Sequence, residues 1–315
     1  MSVPDAKYGF IGVGQIGWGI AMNLRQKIPK GSSLVICEVS ETRRSQFVNE
    51  AAPHGKVSTA NSPIEVAKQA DIIITMLPKS AHVRDVYTND KIGLLSVGKR
   101  ESPLHFFEYS TIKVATSIEV RKEVAKSGLG TFIDAPVSGR PNGANGGTLA
   151  IMVRGSEDQF EFSKPILKLM GKNIFHYGPS GAGLATKHIN NYLSSVYTVG
   201  ICKAMNMGIK YGLDPKKLAS IINISSRRCY NSLEQNPIKG VTVGAASKIN
   251  FIGGFSVELY KGVLDIAVQL GKEVSAQSIL SDRVLGLYKK AIEDKRTQGR
   301  DSRSMYLLFA DNNAA

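Results

Sequence analysis

Between residues 12 and 17 the chain reads Gly12-Val13-Gly14-Gln15-Ile16-Gly17. The apolar run Tyr8–Ile11 precedes this motif and has the composition of a β-strand, and a helical pattern follows it through about Arg25. Glycines at this spacing let bare backbone approach a pyrophosphate at the positive N-terminus of a helix. A tight structural turn is the alternative use of such glycines. Because the motif joins a strand to a helix, we predict that its six residues bind a dinucleotide.

An acidic residue follows the next predicted strand, Leu34–Cys37. This residue, Glu38, lies 21 positions beyond Gly17. A carboxylate here can accept hydrogen bonds from both ribose hydroxyls of NAD, and it would repel the 2′-phosphate of NADP. Arg43 and Arg44 lie downstream, where they either soften this preference or are ordinary charges on a helix surface. The sequence therefore predicts NAD as the cofactor, with NADP as a possible substitute.

Apolar runs and helical patterns alternate through the first half of the chain. Further strands are predicted at Asp71–Met76, His105–Tyr109, Gly130–Asp134 and Leu149–Val153. Continuous apolar runs separated by helices are typical of a parallel sheet covered by helices on both faces. The predicted class is therefore α/β, with an N-terminal doubly wound sheet of the Rossmann type.

The pattern changes at the Gly- and Pro-rich segment Tyr177–Gly183. A long helix is predicted from Leu184 to about Tyr211, and Asp214 and Pro215 have the residue types of an N-cap and a first helical position. No clear strand follows. We expect a dinucleotide-binding Rossmann domain over residues 1–178 and an all-α substrate and dimerisation domain over residues 179–315.

The net charge of +14 raises the question of a polyanionic partner. Nucleic-acid binding requires clustered cations with interleaved aromatic residues. Here Lys and Arg are scattered, and the one dense stretch, Lys289–Arg303, is typical of a solvated helix and tail. The sequence therefore predicts no nucleic-acid partner, and an acidic substrate or cofactor accounts for some of the charge.

Cysteine and histidine usage bears on the compartment and on metals. The cysteines Cys37, Cys202 and Cys229 form no CxxC pair or disulfide framework, which favours a reducing compartment. The five histidines have no metal-like spacing, so no metal is predicted. No membrane span, signal core or presequence is visible. We therefore expect a cytoplasmic protein, with the mitochondrial matrix as the less favoured location.

Further motifs follow in order along the chain. They are Asp134–Gly139, read as Asp-Ala-Pro-Val-Ser-Gly, then Gly143-Ala144, Gly147–Leu149, Gly181–Asn191 and Ala204–Pro215. Together with Phe10–Gly17 these motifs resemble those of the β-hydroxyacid dehydrogenases. The later segments, including Ile221–Ser226 and Gly253–Phe255, are most similar to the branch that acts on 3-hydroxyisobutyrate. The resemblance covers roughly residues 8–275.

The resemblance implies roles for individual residues. It implies that Lys187 is the catalytic residue and that Asn191 assists it. Substrate is implied at Ser138, Gly139 and Asn191. The remaining cofactor contacts that it implies are Leu77, Pro78, Thr111 and, near the nicotinamide, Lys261. It also implies a homodimer or homotetramer, with the long helix after residue 184 as the seam.

These residue types suit the oxidation of a hydroxy acid. A nicotinamide accepts the hydride, and a general base must take the hydroxyl proton. Lys187 can do so if burial or a positive neighbour lowers its pKa, and its place near a helix N-terminus acts in the same direction. Asn191 lies four residues on, so it shares a helix face with Lys187. Ser138 and Gly139 offer a hydroxyl and open N–H groups to a carboxylate. Surface positions and a simple turn are the alternatives.

The chain also departs from the family pattern. Arg140 stands where the family usually has glycine, so a cation is expected beside the substrate carboxylate. Gly262 stands where an aspartate usually follows Lys261, so we expect Lys261 to have lost an ionic partner. Three hypotheses follow: an NAD-dependent 3-hydroxyacid dehydrogenase, a same-fold enzyme for another β-hydroxy acid or a β-hydroxy amino acid, and a dinucleotide-binding protein without turnover.

Overall fold

The computed structural model describes residues 2–178, 182–276 and 279–310. The chain forms two compact units, residues 1–187 and 188–315. The predicted Gly- and Pro-rich segment Tyr177–Gly183 falls partly outside the described residues, at Pro179, Ser180 and Gly181.

The first unit contains a six-stranded parallel sheet. Its strands in chain order are β1 (Lys7–Ile11), β2 (Ser33–Cys37), β3 (Val57–Ala60), β4 (Ile72–Thr75), β5 (Leu104–Glu108) and β6 (Gly130–Asp134). Their spatial order is β3-β2-β1-β4-β5-β6. This order places a topological switch between β1 and β4, where such sheets bind ligands beyond the carboxyl ends of the strands. The predicted doubly wound fold is confirmed.

Helices cover both faces of this sheet. They are α1 (Gln15–Lys27), α2 (Glu41–Ala51), α3 (Pro63–Gln69), α4 (Ser80–Thr88), α5 (Val114–Ser127), α6 (Arg140–Asn145) and α7 (Glu157–Leu167). Successive strand residues enter opposite cores: Ile72 and Ile74 belong to one apolar cluster, and Ile73 belongs to the other. A strand buried on both faces must be apolar at every position, which explains its unbroken apolar sequence.

A smaller sheet follows in the same unit, formed by β7 (Val137–Ser138), β8 (Leu149–Val153) and β9 (Gly171–His176). Leu149–Val153 is a strand, as predicted, but it belongs to this second sheet and not to the parallel one. The chain reverses after β7 at Gly139 and Arg140, whose φ angles are 144° and 62°. Because of this reversal, β8 runs antiparallel to β7, while β9 pairs with β8 in parallel.

The named elements after residue 181 are all helical. They are α8 (Ala182–Lys210), α9 (Pro215–Ile224), α10 (Tyr230–Leu233), α11 (Val257–Glu273) and α12 (Ser281–Glu293), with 3₁₀ turns at Ala246–Ile249 and Ser302–Leu308. Asp214 caps α9 by accepting a hydrogen bond from the Lys217 amide at 2.8 Å, as its residue type predicted. Within the described parts of the chain, no helix has the length and apolar character needed to cross a membrane.

Candidate active site

Two glycines of the Gly12–Gly17 motif are required by packing. Gly12 has a φ of 94°, and a side chain there would collide with the carbonyl oxygen of Met76, the residue directly after β4. A side chain at Gly17 would collide in turn with the carbonyl oxygen of Gly12. These contacts let the turn after β1 lie directly against the turn after β4. The motif is therefore fixed at the topological switch of the sheet.

Gly14, the remaining glycine of the motif, faces open space. A Cβ at Gly14 would meet no atom within 4 Å, and Gly14 is the N-cap of α1 without a side-chain cap. The first turn of α1, which is fully described, carries no acidic side chain. Amide groups at such a helix start lack intrahelical partners and attract anions. The residues present therefore fit a pyrophosphate placed against the bare backbone at Gly14.

The side chains of the motif differ in their exposure. Val13 is fully buried in the core, Ile16 is half-buried against it, and Gln15 is exposed. The Val13 carbonyl oxygen accepts a hydrogen bond from Arg43 Nε at 2.9 Å, and the Arg43 guanidinium lies over the Trp18 ring. Arg43 is thus tied to the glycine-rich turn, a role that the sequence did not indicate.

Glu38 directly follows β2 and is half-buried. Its Oε1 accepts a hydrogen bond from the Ser40 amide at 3.1 Å. The neighbouring cation Arg44 donates to Asn61 Oδ1 at 3.3 Å. The carboxylate therefore stands at the carboxyl end of the strand next to β1, where the ribose of a dinucleotide is expected in this fold.

Leu77, Pro78 and Thr111 lie in the turns after β4 and β5. Pro78 is exposed, whereas Leu77 and Thr111 are half-buried. The Leu77 amide donates to Ser110 Oγ at 2.7 Å, so the two turns are joined. The structure thus brings these residues, the glycine-rich turn and Glu38 to the same edge of the sheet.

A buried carboxyl underlies these two turns. Glu108, the last residue of β5, is fully buried and accepts hydrogen bonds from Thr75 Oγ1 at 2.5 Å and from the Ser110 amide at 2.7 Å. Burial raises the pKa of Glu108 to about 7, and its hydrogen bonds oppose that rise. Sequence reasoning missed this residue. The only signal was an acidic residue inside the predicted strand His105–Tyr109.

The predicted substrate motif lies between β7 and α6. Ser138 is half-buried and Gly139 is exposed. The φ angle of Gly139 favours glycine, and a Cβ there would lie 2.8 Å from Leu149 Cδ2, so Leu149 would have to shift to admit a side chain. Arg140 follows and is half-buried. Its backbone is left-handed, a conformation that the glycine usual at this position in the family would adopt without strain.

Lys187 is held in place by the first turns of α8. A Cβ at Gly183 would lie 2.5 Å from the Met152 carbonyl oxygen, and Leu184 is fully buried in a core cluster of the first unit. Lys187 is 9% exposed, and its pKa is lowered to about 8 by burial and then by the positive charge of Arg140. The helix N-terminus, expected to contribute, is more than one turn away, where its effect has fallen off.

Asn191 and Lys261 belong to the second unit. Asn191 lies one turn beyond Lys187 on α8 and is half-buried. Lys261, on α11, forms an ion pair with Asp265 at 2.7 Å. The expectation that Gly262 leaves Lys261 without an ionic partner was therefore wrong, because the i,i+4 spacing on α11 supplies one.

Fold and site together define a class of protein. A Rossmann sheet with open amides at its switch point binds a dinucleotide, and a buried lysine of lowered pKa can exchange a proton with an alcohol. The chain is an NAD(P)-dependent oxidoreductase acting on a CH–OH group.

Comparison with known proteins identifies its family. Residues 7–178 match the family model described as the NAD binding domain of 6-phosphogluconate dehydrogenase. Residues 181–309 match the one described as NAD-binding of NADP-dependent 3-hydroxyisobutyrate dehydrogenase. The chain belongs to the β-hydroxyacid dehydrogenase family.

Named relatives agree with this assignment. A probable mitochondrial 3-hydroxyisobutyrate dehydrogenase from Dictyostelium discoideum is 40% identical over 289 residues, which cover 91% of this chain and 86% of that protein. The human mitochondrial 3-hydroxyisobutyrate dehydrogenase is 38% identical over 89% of this chain and 80% of its own. The cytoplasmic location inferred from the sequence stays a prediction.

A solved structure extends the likeness to the whole chain. The 3-hydroxyisobutyrate dehydrogenase of Mycobacterium tuberculosis, described together with L-serine, superposes with a TM-score of 0.83. Its sequence is 29% identical, and the alignment covers 98% of this chain and 100% of that one. The Rossmann fold followed by helices is therefore shared with that relative.

Proposed function

We propose that this chain oxidises a short 3-hydroxy acid, such as 3-hydroxyisobutyrate, to its semialdehyde with NAD. The observation that carries the proposal is Lys187, buried and held at a pKa of about 8 beside Arg140. Roughly a tenth to a fifth of such a lysine is neutral near physiological pH, far more than for an exposed lysine, so Lys187 Nζ can accept the substrate hydroxyl proton. The bound nicotinamide supplies the hydride acceptor.

The cofactor is assigned to the first domain, which we take as residues 1–178. Its pyrophosphate is held by the amides at Gly14, and Glu38 accepts hydrogen bonds from the ribose hydroxyls, which favours NAD over NADP. Leu77, Pro78 and Thr111 line the cofactor. Residues 179–315 form the substrate and dimerisation domain, with Lys261 assigned to the nicotinamide end by the family resemblance.

The substrate carboxylate is assigned to Ser138 and Gly139. Gly139 is exposed and Ser138 half-buried, so the serine hydroxyl and the neighbouring amide are available to an anion. Lys187 takes the hydroxyl proton, and Asn191 orients the substrate from the next turn of the helix. The neutral form of Lys187 is the active base, so its lowered pKa is what makes the residue usable.

A second candidate is the same reaction on a different β-hydroxy acid. Arg140 supports it, because a cation beside the carboxylate site adds affinity for a second anionic group. A β-hydroxy amino acid is supported by the description of the M. tuberculosis relative with L-serine. The third hypothesis, a protein without turnover, rested on the loss of a partner for Lys261, and Asp265 removes that reason.

A substrate panel tests the proposal. Purified protein is assayed for nicotinamide reduction with NAD or NADP on 3-hydroxyisobutyrate, L-serine and a 3-hydroxy dicarboxylate. We expect turnover with NAD, and a Lys187→Ala variant that binds NAD normally but is slower by about 10²–10⁴-fold, the usual contribution of a general base. NAD binding without turnover on any of these substrates would overturn the dehydrogenase proposal.

A further inference from the structure

Glu108 stands at the centre of a hydrogen-bond network that joins two turns of the sheet edge. Its two carboxyl oxygens are bonded to Thr75, the last residue of β4, and to the Ser110 amide after β5. Ser110 Oγ in turn accepts a hydrogen bond from the Leu77 amide at 2.7 Å. One buried carboxyl therefore links the two turns through hydrogen bonds. It belongs neither to the proposed general base nor to the predicted substrate motif.

The groups around Glu108 leave it without a compensating cation. Asp134 on β6 is its register neighbour and raises its pKa further, and Tyr87 on α4 reaches the same Thr75 hydroxyl at 3.2 Å. The cations nearby, Arg121 and Arg154, act on Asp134. None of the ion pairs found among residues 2–178, 182–276 and 279–310 includes Glu108.

The neutral form of Glu108 is fully satisfied by the same contacts. Its protonated Oε2 can donate to Thr75 Oγ1, whose hydroxyl then donates to the Phe107 carbonyl oxygen at 3.4 Å. Oε1 of the neutral carboxyl still accepts a hydrogen bond from the Ser110 amide. The ionised form keeps both acceptors but adds a charge in a fully buried site that forms none of the ion pairs found among the described residues, which is unfavourable.

We propose that Glu108 is a positioning residue of the dinucleotide site: it holds the turns after β4 and β5, and gain or loss of its proton changes the affinity for the dinucleotide. The inference rests on the proposed function only in placing the dinucleotide at these turns. Ionisation adds a negative charge beneath turns that line an anionic dinucleotide, so the neutral form binds more tightly. By linkage, bound dinucleotide must favour protonation of Glu108.

Calorimetric titration of the whole protein with NAD tests this. We expect the Kd of the wild type to rise by roughly three- to tenfold as the pH increases through about 7, with net proton uptake on binding near that pH. Proton uptake is obtained by repeating the titration in buffers of different ionisation enthalpy. A purely structural role for Glu108 predicts no such uptake.

Glu108→Gln is the decisive variant. The amide can donate to Thr75 Oγ1 and accept from the Ser110 amide, so the contacts persist without a titratable proton. Its Kd should match the low-pH value of the wild type at every pH, without proton uptake. Asp134→Asn is the matched control: it removes the charge of the register neighbour, whose carboxylate accepts a hydrogen bond from Ser117 Oγ. It should keep the pH dependence and the proton uptake, moved to lower pH because Asp134 raises the pKa of Glu108.

The outcomes separate the two proposals. Proton uptake that persists in Glu108→Gln, or binding by the wild type that does not vary with pH, would overturn the role of Glu108. Failure to bind NAD and NADP at every pH would overturn the dinucleotide site itself. If Glu108→Gln does not fold, Ser110→Ala removes a side-chain hydrogen bond that lowers the pKa of Glu108, so the rise in Kd should move to higher pH. A rise that stays where it is in the wild type would contradict the inference.

Discussion

Arg140 has two physical consequences at the scale of a single residue. Its φ of 62° is unfavourable for a residue with a Cβ, by about 1–2 kcal/mol. Its positive charge disfavours the ammonium form of Lys187 and so lowers the pKa of that lysine. The strain is thus retained at a position where the charge lowers the pKa of Lys187, the proposed general base, a combination typical of functional sites.

Replacing Arg140 by glycine separates these consequences. We expect Arg140→Gly to raise the free energy of unfolding by about 1 kcal/mol, because the left-handed strain is removed. Since Lys187 must be neutral to take a proton, oxidation by the wild type should rise as the pH climbs through about 8. Without Arg140 the pKa of Lys187 increases, so this rise should move to higher pH. Thermal unfolding and a pH profile of kcat/KM measure the two effects.

Asn250→Gly is the control for that experiment. Asn250 is also left-handed, with a φ of 52°, but it lies beyond a 3₁₀ turn and is exposed. This variant should leave the pH profile of kcat/KM where it is in the wild type. A profile that does not move in Arg140→Gly, or that moves equally in both variants, would contradict the effect assigned to Arg140.

At the scale of elements, the sequence predicted the strands that are buried on both faces. β4 is the clearest case, since an unbroken apolar run is what two covering helix layers require. The missed strands β3, β7 and β9 are short or carry exposed polar residues, so their sequences resemble loops. β3 and β9 are edge strands, and pairing with a neighbour defines them more than composition does.

The candidate site likewise contains residues that a local sequence pattern predicts and residues whose properties depend on tertiary packing. Glycine spacing and the lysine motif are local in sequence, so the positions of Gly12 and Lys187 were predictable. The burial of Glu108 depends on strands that lie far apart along the chain, and the effect of Arg140 on Lys187 joins α6 to α8. Such properties arise from tertiary packing, and single-sequence reasoning does not reach them.

The turn from β1 to α1 gives a prediction that separates folding from binding. Gly12→Ala should lower the stability by roughly 2 kcal/mol or more, because the new Cβ meets the Met76 carbonyl oxygen in a left-handed backbone. Gly14→Ala should fold as the wild type does, since its Cβ faces open space, yet its NAD affinity should fall by about tenfold or more. Chemical unfolding and NAD titration provide the two measurements. Normal NAD affinity in Gly14→Ala would place the pyrophosphate elsewhere.

At the scale of the whole molecule, α8 is apolar on two neighbouring sides. One face, with Tyr192, Val196 and Val199, packs into the core of the second unit. The other face carries Ile189, Leu193, Tyr197 and Met207, which are 63%, 45%, 46% and 61% exposed in the single chain. A stripe of large apolar side chains left exposed along a helix is suited to a partner surface.

We therefore expect the chain to self-associate through this exposed face of α8. Leu193→Glu places a charge at the centre of the stripe, and burial of that charge would be strongly unfavourable, so the apparent dissociation constant should rise by roughly a hundredfold or more. Sedimentation velocity and light scattering report the oligomeric state. Val243→Glu is the matched control, since Val243 is 94% exposed and lies outside α8, and it should leave the association unchanged. A wild type that stays monomeric at high concentration would rule out the α8 interface. Equal dissociation constants of the two variants would rule it out as well, because the charge at Leu193 would then have no effect beyond that of a charge on an exposed surface.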